Sequence, residues 1–136
     1  MKSNCINCDK EFSFMPSQQS GKYCSNKCQL DYQYKNVTKN RIELGQVNQS
    51  RTLRRYLTEE RGGYKCNECG IANWNGKEIA LHIDHIDGNS DNNFPSNLRF
   101  LCPNCHSQTH TYCGRNKKNS KRATYKQRYR LRKLHE

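Results

Sequence analysis

The chain is short of the residues that build a hydrophobic core. Leu, Ile, Val and Phe fill 21 of its 136 positions, about 15%, and there is one Trp. So little to bury puts the composition close to that of disordered proteins and excludes a large self-supporting core. No stretch approaches the roughly 20 apolar residues that cross a bilayer, so no membrane partner is expected. Carboxylates are scarce as well: 12 Asp and Glu stand against 24 Lys and Arg, for a formal net charge of +12. That imbalance points to a polyanion as the partner.

Cysteine is what the chain has in excess. Eight of its nine cysteines form four close pairs, Cys5/Cys8, Cys24/Cys28, Cys66/Cys69 and Cys102/Cys105, with Cys113 left over. Pairs two or three residues apart suit tetrahedral Zn²⁺, and structural zinc supplies the folding free energy that sparse apolar residues cannot. A disulfide scaffold is the competing account. The odd count and the opening Met1-Lys2-Ser3, with no apolar leader, argue instead for a thiol-reduced, cytoplasmic protein.

Charge is spread unevenly. Residues 51–110 carry seven basic and seven acidic side chains, whereas residues 111–136 carry ten basic and one acidic, for +9. A neutral central module therefore adjoins a strongly cationic terminus. Arg115, Lys117, Lys118, Lys121, Arg122 and Arg128 of that terminus are candidate phosphate contacts.

Four segments follow along the chain. Residues 1–30 read as a zinc knuckle on Cys5, Cys8, Cys24 and Cys28, the second pair opening a helix, with Phe12, Phe14 and Tyr23 as a miniature core. Residues 31–49 read as a polar, partly helical linker without chemistry. Residues 50–113 form the central module. It starts with a helix over 51–60, capped by Ser50, on which Leu53, Tyr56 and Leu57 share a face and Arg51, Arg54 and Arg55 are available to phosphate. Asn75-Gly76 signals a hairpin. An extended run over 78–86 then leads through a polar loop to a strand at 97–101 and a helix with Pro103 in its first turn, which should carry His106 and His110 on one face. Residues 114–136 are the basic tail.

The chemistry concentrates in the central module. Asp84 and His106 offer a carboxylate oxygen and an imidazole nitrogen, which suit Mg²⁺, Mn²⁺, Zn²⁺ or Ni²⁺ and leave positions open for water and phosphate. His85, with a pKa near neutrality, can act as general base. Adjacent strand residues point to opposite sides, so a twist or bulge at the strand's end, just before the Asp87-Gly88 turn, is expected to re-aim one of the two. Asn97 can brace that backbone with its amide. Arg99 can meet the scissile phosphate or pair with an Asp of the 87–91 loop. His82 and Trp74 read as packing residues, Cys113 as a plain thiol, and Tyr112 as the aromatic most suited to stack on a base.

The runs Leu81-His82-Ile83-Asp84-His85-Ile86-Asp87-Gly88-Asn89 and Asn97-Leu98-Arg99-Phe100-Leu101-Cys102-Pro103-Asn104-Cys105-His106, framed by Cys66-Asn67-Glu68-Cys69, resemble the HNH (His-Asn-His) endonuclease family, especially its small phage-type members. The resemblance covers roughly residues 50–115. It implies a small α+β fold, a zinc-stapled ββα-metal module, with His85 as general base, Asn97 as the asparagine that orients it, and Asp84 and His106 as ligands of a catalytic Mg²⁺ or Mn²⁺. His110 matches a further ligand or phosphate contact. Cys66, Cys69, Cys102 and Cys105 match a structural zinc, which with the knuckle makes two. The implied activity is cleavage of double-stranded DNA to 5′-phosphate and 3′-hydroxyl ends, by a monomer or a homodimer in the cytoplasm of a phage's bacterial host. A noncatalytic zinc-dependent DNA-binding protein on the same scaffold is the alternative.

Overall fold

The computed structural model describes residues 1–17 and 20–116, which divide into two compact units between Leu44 and Gly45. Lys117, Lys118, Lys121, Arg122 and Arg128 lie outside the described residues.

In the first unit, strands β1 (Lys2–Asn4) and β2 (Glu11–Ser13) pair antiparallel, with Ser3 opposite Phe12. Cys5 follows β1 directly, and the chain reverses around it. Its N–H donates to Lys10 O at 3.0 Å, and its carbonyl accepts from Asp9 N at 2.8 Å. Gly21 has a φ of 68°, and a Cβ there would lie 2.5 Å from the Phe14 ring, so both backbone and packing demand glycine. Helix α1 (Asn26–Gln33) opens at the second cysteine pair, as its sequence implied, and Ser25 caps it by accepting from Cys28 N at 3.2 Å. The helical path continues through a π turn (Tyr34–Thr38) into α2 (Lys39–Glu43), so residues 31–43 are helical throughout.

The second unit begins with α3 (Ser50–Glu60), whose Leu53, Tyr56 and Leu57 are buried on one face as their spacing implied. Its cap position is Gln49 rather than Ser50, because Ser50 is already the first helical residue; Gln49 makes no capping bond from its side chain. Strands β3 (Asn73–Trp74) and β4 (Lys77–Glu78) form a hairpin across Asn75-Gly76, both residues at positive φ. The extended run expected over 78–86 is broken. Ile79 N extends the β3–β4 hairpin to Ala72 O, residues 79–81 belong to no strand, and a new strand, β5 (His82–His85), pairs antiparallel with β6 (Leu98–Leu101).

Helix α4 (Pro103–Ser107) follows, with Pro103 at its start and Cys102 as cap. Leu98, Phe100 and Leu101 of β6, Leu81 and the buried face of α3 supply this unit's core. Tyr64 meets Phe100 edge-on at 5.2 Å. The order strand, loop, strand, helix is thus realised as a two-stranded ribbon followed by a single turn and a half of helix.

Candidate active site

Each cysteine cluster draws one pair from a turn and one from a helix start. Cys5, Cys8, Cys24 and Cys28 form the first group and Cys66, Cys69, Cys102 and Cys105 the second, with all four sulfurs of each group within 4.8 Å of one another. In the first, Cys8 to Cys24, Cys24 to Cys28 and Cys28 to Cys8 measure 3.7, 3.5 and 3.7 Å; in the second, Cys69 to Cys102 measures 3.8 Å. A tetrahedron of Zn–S bonds of about 2.3 Å has edges of about 3.8 Å, so both clusters fit Zn²⁺.

Local electrostatics reinforce that fit. Burial opposes charge on Cys5, yet N–H donors from Cys24, Asn7 and Cys8 bring its thiol down to about 6. Cys66 is likewise lowered to about 6, against burial, by N–H donors from Cys69, Cys102 and Glu68. Hydrogen bonding to Cys28 and Cys102 respectively pushes Cys24 and Cys105 up to about 12. In each cluster folding thus lowers one thiol and raises another, and metal uptake releases the protons that remain.

The second cluster fixes the ribbon. Asn67, inside the Cys66–Cys69 turn, donates its N–H to Phe100 O at 2.8 Å and accepts from Phe100 N at 2.7 Å through its side chain. The turn is thereby locked to β6, while Cys102 and Cys105 lock the same cluster to α4.

On this frame, β5 and β6 pair in regular register through His85, with Asp84 opposite Arg99 and His85 opposite Leu98. No bulge interrupts the ladder over His82–His85, and by strand alternation Asp84 and His85 leave opposite faces of the ribbon. His82, Asp84 and Arg99 share one face, over which α4 places His106. Asp84 is 4% exposed and divides its oxygens: Oδ2 accepts from Arg99 Nε at 2.8 Å, while Oδ1 lies 3.7 Å from His106 Nε2. Two donors 3.7 Å apart can share one ion, since each metal–ligand bond is about 2.1 Å long. The His106 ring stacks on His82 at 4.9 Å and receives the edge of Tyr112 at 5.2 Å, which fixes its plane.

Arg99 also lies 3.7 Å from Glu68. Its guanidinium is directed at Asp84 and Glu68, not at the 87–91 loop. His110 is not on the helix with His106. Helix α4 ends at Ser107, where Thr109 Oγ1 donates to His106 O at 3.0 Å and Ser107 Oγ to Asn104 O at 2.7 Å, drawing the last carbonyls away from further helical bonding. His110 is exposed and lines a cleft with Glu68, Arg99, Gln108 and Thr109.

On the opposite face, His85 Nε2 lies 3.0 Å from Asn93 Oδ1, and Asn93 is buried. An amide oxygen only accepts, so in this pairing Nε2 is the donor, and the neutral ring would then present its lone pair at Nδ1. Asn93 was not singled out in the sequence, where it is one of several amides in a polar loop; its burial marks it, and burial there is a tertiary property.

Asn97 sits where the loop closes. Its Oδ1 accepts from Asp87 N at 3.1 Å and its Nδ2 donates to Asp87 Oδ1 and Asn92 O, both at 2.9 Å. Its backbone carbonyl accepts from Ile86 N at 2.9 Å. Asp87 is held below the usual carboxylate range by the Asn89 N–H first, then by the Asn92 and Asn97 amides. Gly88, at φ 73°, packs where a Cβ would come within 2.7 Å of Thr111 Cγ2, and its carbonyl accepts from Asn116 Nδ2 at 2.7 Å. Among the described residues no buried side-chain N or O lacks a hydrogen-bond partner.

Comparison with known proteins agrees with this geometry. Residues 66–112 match the model of the HNH endonuclease family. The chain is 38% identical over 88 residues to the H-N-H endonuclease F-TflIV of Escherichia phage T5, an alignment covering 65% of this chain and 39% of that relative. The chain thus spans about two fifths of the length of the curated relative it matches. No solved structure matches it. A regular ribbon stapled by four cysteines, with Asp84 facing His106 and His85 beside an asparagine, lies within the stretch that matches the HNH endonuclease family.

Proposed function

We propose that the protein is a metal-dependent DNA endonuclease that hydrolyses a phosphodiester bond of double-stranded DNA to a 5′-phosphate and a 3′-hydroxyl. One observation carries the reading: the buried Asp84 carboxylate keeps Oδ1 turned toward His106 while its neighbour His85 pairs through Nε2 with the buried Asn93.

Asp84 and His106 would hold Mg²⁺ or Mn²⁺, and Ni²⁺ suits the same oxygen and nitrogen donors. When bound, the ion supplies charge stabilisation to the phosphoryl oxygens and the leaving 3′ oxygen. His85 Nδ1 takes a proton from the attacking water, and Asn93 keeps the ring in the tautomer and orientation that this requires. The two groups leave opposite faces, but their Cα atoms are about 3.8 Å apart near the loop end of the ribbon, where a strand lying across the end meets both. Asn97 and Asp87 brace that end. Arg99 holds Asp84 in place and balances its charge. His110, exposed in the cleft beside Arg99, is a phosphate contact, as is Arg115. The two cysteine clusters hold structural Zn²⁺.

Duplex DNA is the partner, drawn by the excess of cationic side chains. A phage-encoded nuclease acting in the cytoplasm of its bacterial host suits these features, and no helix among the described residues is long and apolar enough to cross a membrane. Purified protein incubated with supercoiled plasmid and Mg²⁺, Mn²⁺ or Ni²⁺ should nick or linearise it, and His85→Ala should abolish cutting while zinc content stays at two per chain. Binding without cutting across all three ions would return the protein to the class of noncatalytic DNA binders.

A further inference from the structure

We propose that the helical arm of the first unit, Asn26–Glu43, is a second DNA-contacting element that enters the major groove and contributes sequence preference. The inference deepens the endonuclease reading and rests on it for the choice of duplex DNA as substrate.

The arm is one helical path of α1, the π turn and α2, joined rigidly to the cysteine cluster at its start. Cys28 lies in its first turn, Ser25 caps it, and Tyr32 packs on Tyr23 at 5.6 Å. The π turn is accommodated by Asn36, whose Nδ2 donates to Tyr32 O at 2.9 Å. A helix pinned this way can present a face without extra ordering cost on binding.

The exposed side chains give that face its character. Asn26, Leu30, Gln33, Val37 and Asn40 are exposed along the arm, Leu30 at 64% and Val37 at 53%, with Gln29 and Asn36 exposed between them. Three exposed cations, Lys27, Lys35 and Arg41, lie on the same arm, and Glu43 at its end is its one exposed carboxylate. A merely solvated helix has no need to expose a Leu and a Val among amides, with Asp31 half-buried and a single exposed carboxylate at its end. A seam with a second copy would need apolar residues at both alternating positions, whereas Gln33 and Asn40 occupy every second one, and pairing would bring like charges together. The major groove asks for this mixture: amides read adenine edges, aliphatic groups meet thymine methyls, and cations meet phosphate. Its width of about 12 Å admits a helix.

The test uses the full chain. In a His85→Ala background, fluorescence anisotropy on a 30-base-pair duplex across a salt series should show that adding Lys35→Ala and Arg41→Ala lowers the slope of log affinity against log salt by about 2. In the otherwise unaltered protein, Gln33→Ala with Asn40→Ala should leave plasmid cutting intact while flattening the cut-site map from a randomised duplex library by about tenfold or more at the bases contacted. Circular dichroism and two zinc per chain confirm that the variants fold. An unchanged slope together with an unchanged map overturns the proposal, as does a map that is already flat for the unaltered protein. So does a variant set that converts a dimer into a monomer in sedimentation, which would make the arm a seam between copies. Failure of the unaltered protein to cut any DNA would count against the endonuclease reading alone, because the anisotropy series still decides whether the arm binds.

Discussion

Removing the Arg99 guanidinium would leave the Asp84 carboxylate, 4% exposed, without the cation that its Oδ2 contacts at 2.8 Å. Breaking a buried pair from one side leaves an uncompensated charge, so Arg99→Ala should destabilise the protein by about 3 kcal/mol in urea unfolding, and Arg99→Lys by less. In the proposed reaction Asn93 acts through His85 rather than on the substrate. Asn93→Ala should lower kcat about a hundredfold with KM for DNA nearly unchanged, because ring orientation matters to the reaction and not to binding. Asn93→Asp, which keeps an oxygen acceptor at the same place, should recover much of the loss. A matching fall in DNA affinity in the alanine variant would show that Asn93 contacts substrate directly.

At the scale of elements, the loop between β5 and β6 is held by side chains more than by backbone ladder. Asp87 lies at its centre and its carboxyl titrates below its ordinary value through the Asn89 N–H and the Asn92 and Asn97 amides. A carboxyl lowered by folding contributes stability that is present above its unfolded pKa and lost as pH falls through the folded one. Asp87→Asn should therefore remove part of the acid-side loss of stability, seen as a shallower decline of the unfolding midpoint between about pH 5 and about pH 3, on either side of the ordinary carboxylate pKa of about 3.9.

The cysteine clusters are the other decisive elements. Cys24 and Cys105 keep their protons to about 12, so zinc uptake must displace them. Metal uptake should release protons and weaken as pH falls. Cys24→Ser should reduce zinc from two to one per chain. Cys102→Ser should collapse the ribbon-and-helix unit itself, read as lost helical signal, since that cluster joins the Cys66–Cys69 turn to α4.

For the whole molecule, charge and chemistry are divided. Residues 51–110 are neutral by count, seven basic against seven acidic, while residues 117–136 carry nine basic and one acidic. Deleting 117–136 should weaken binding to all duplex sequences alike and reduce the salt slope by several, with the cut chemistry retained at low salt. A cleavage rate at low salt as poor as that of His85→Ala would mean that the terminus serves the reaction itself.

The sequence by itself determined the chemistry available: the cysteine pairs at zinc spacing, the Asp84-His85 and Asn97 to His106 runs, the Asn75-Gly76 hairpin and the buried face of α3 are all local patterns with short-range causes. Only the tertiary structure decided which groups meet. Arg99 reaches Asp84 because they are opposite one another in a ladder, His85 meets Asn93 because the intervening loop folds inward, and His110 parts from His106 because side-chain bonds end α4 after five residues. The same holds for the faces of Asp84 and His85, which strand alternation separates with no bulge to reunite them. Spacing along a chain sets what a segment can form by itself; strand register, the ends of helices and the path of a loop are settled by contacts between segments, which no local pattern contains.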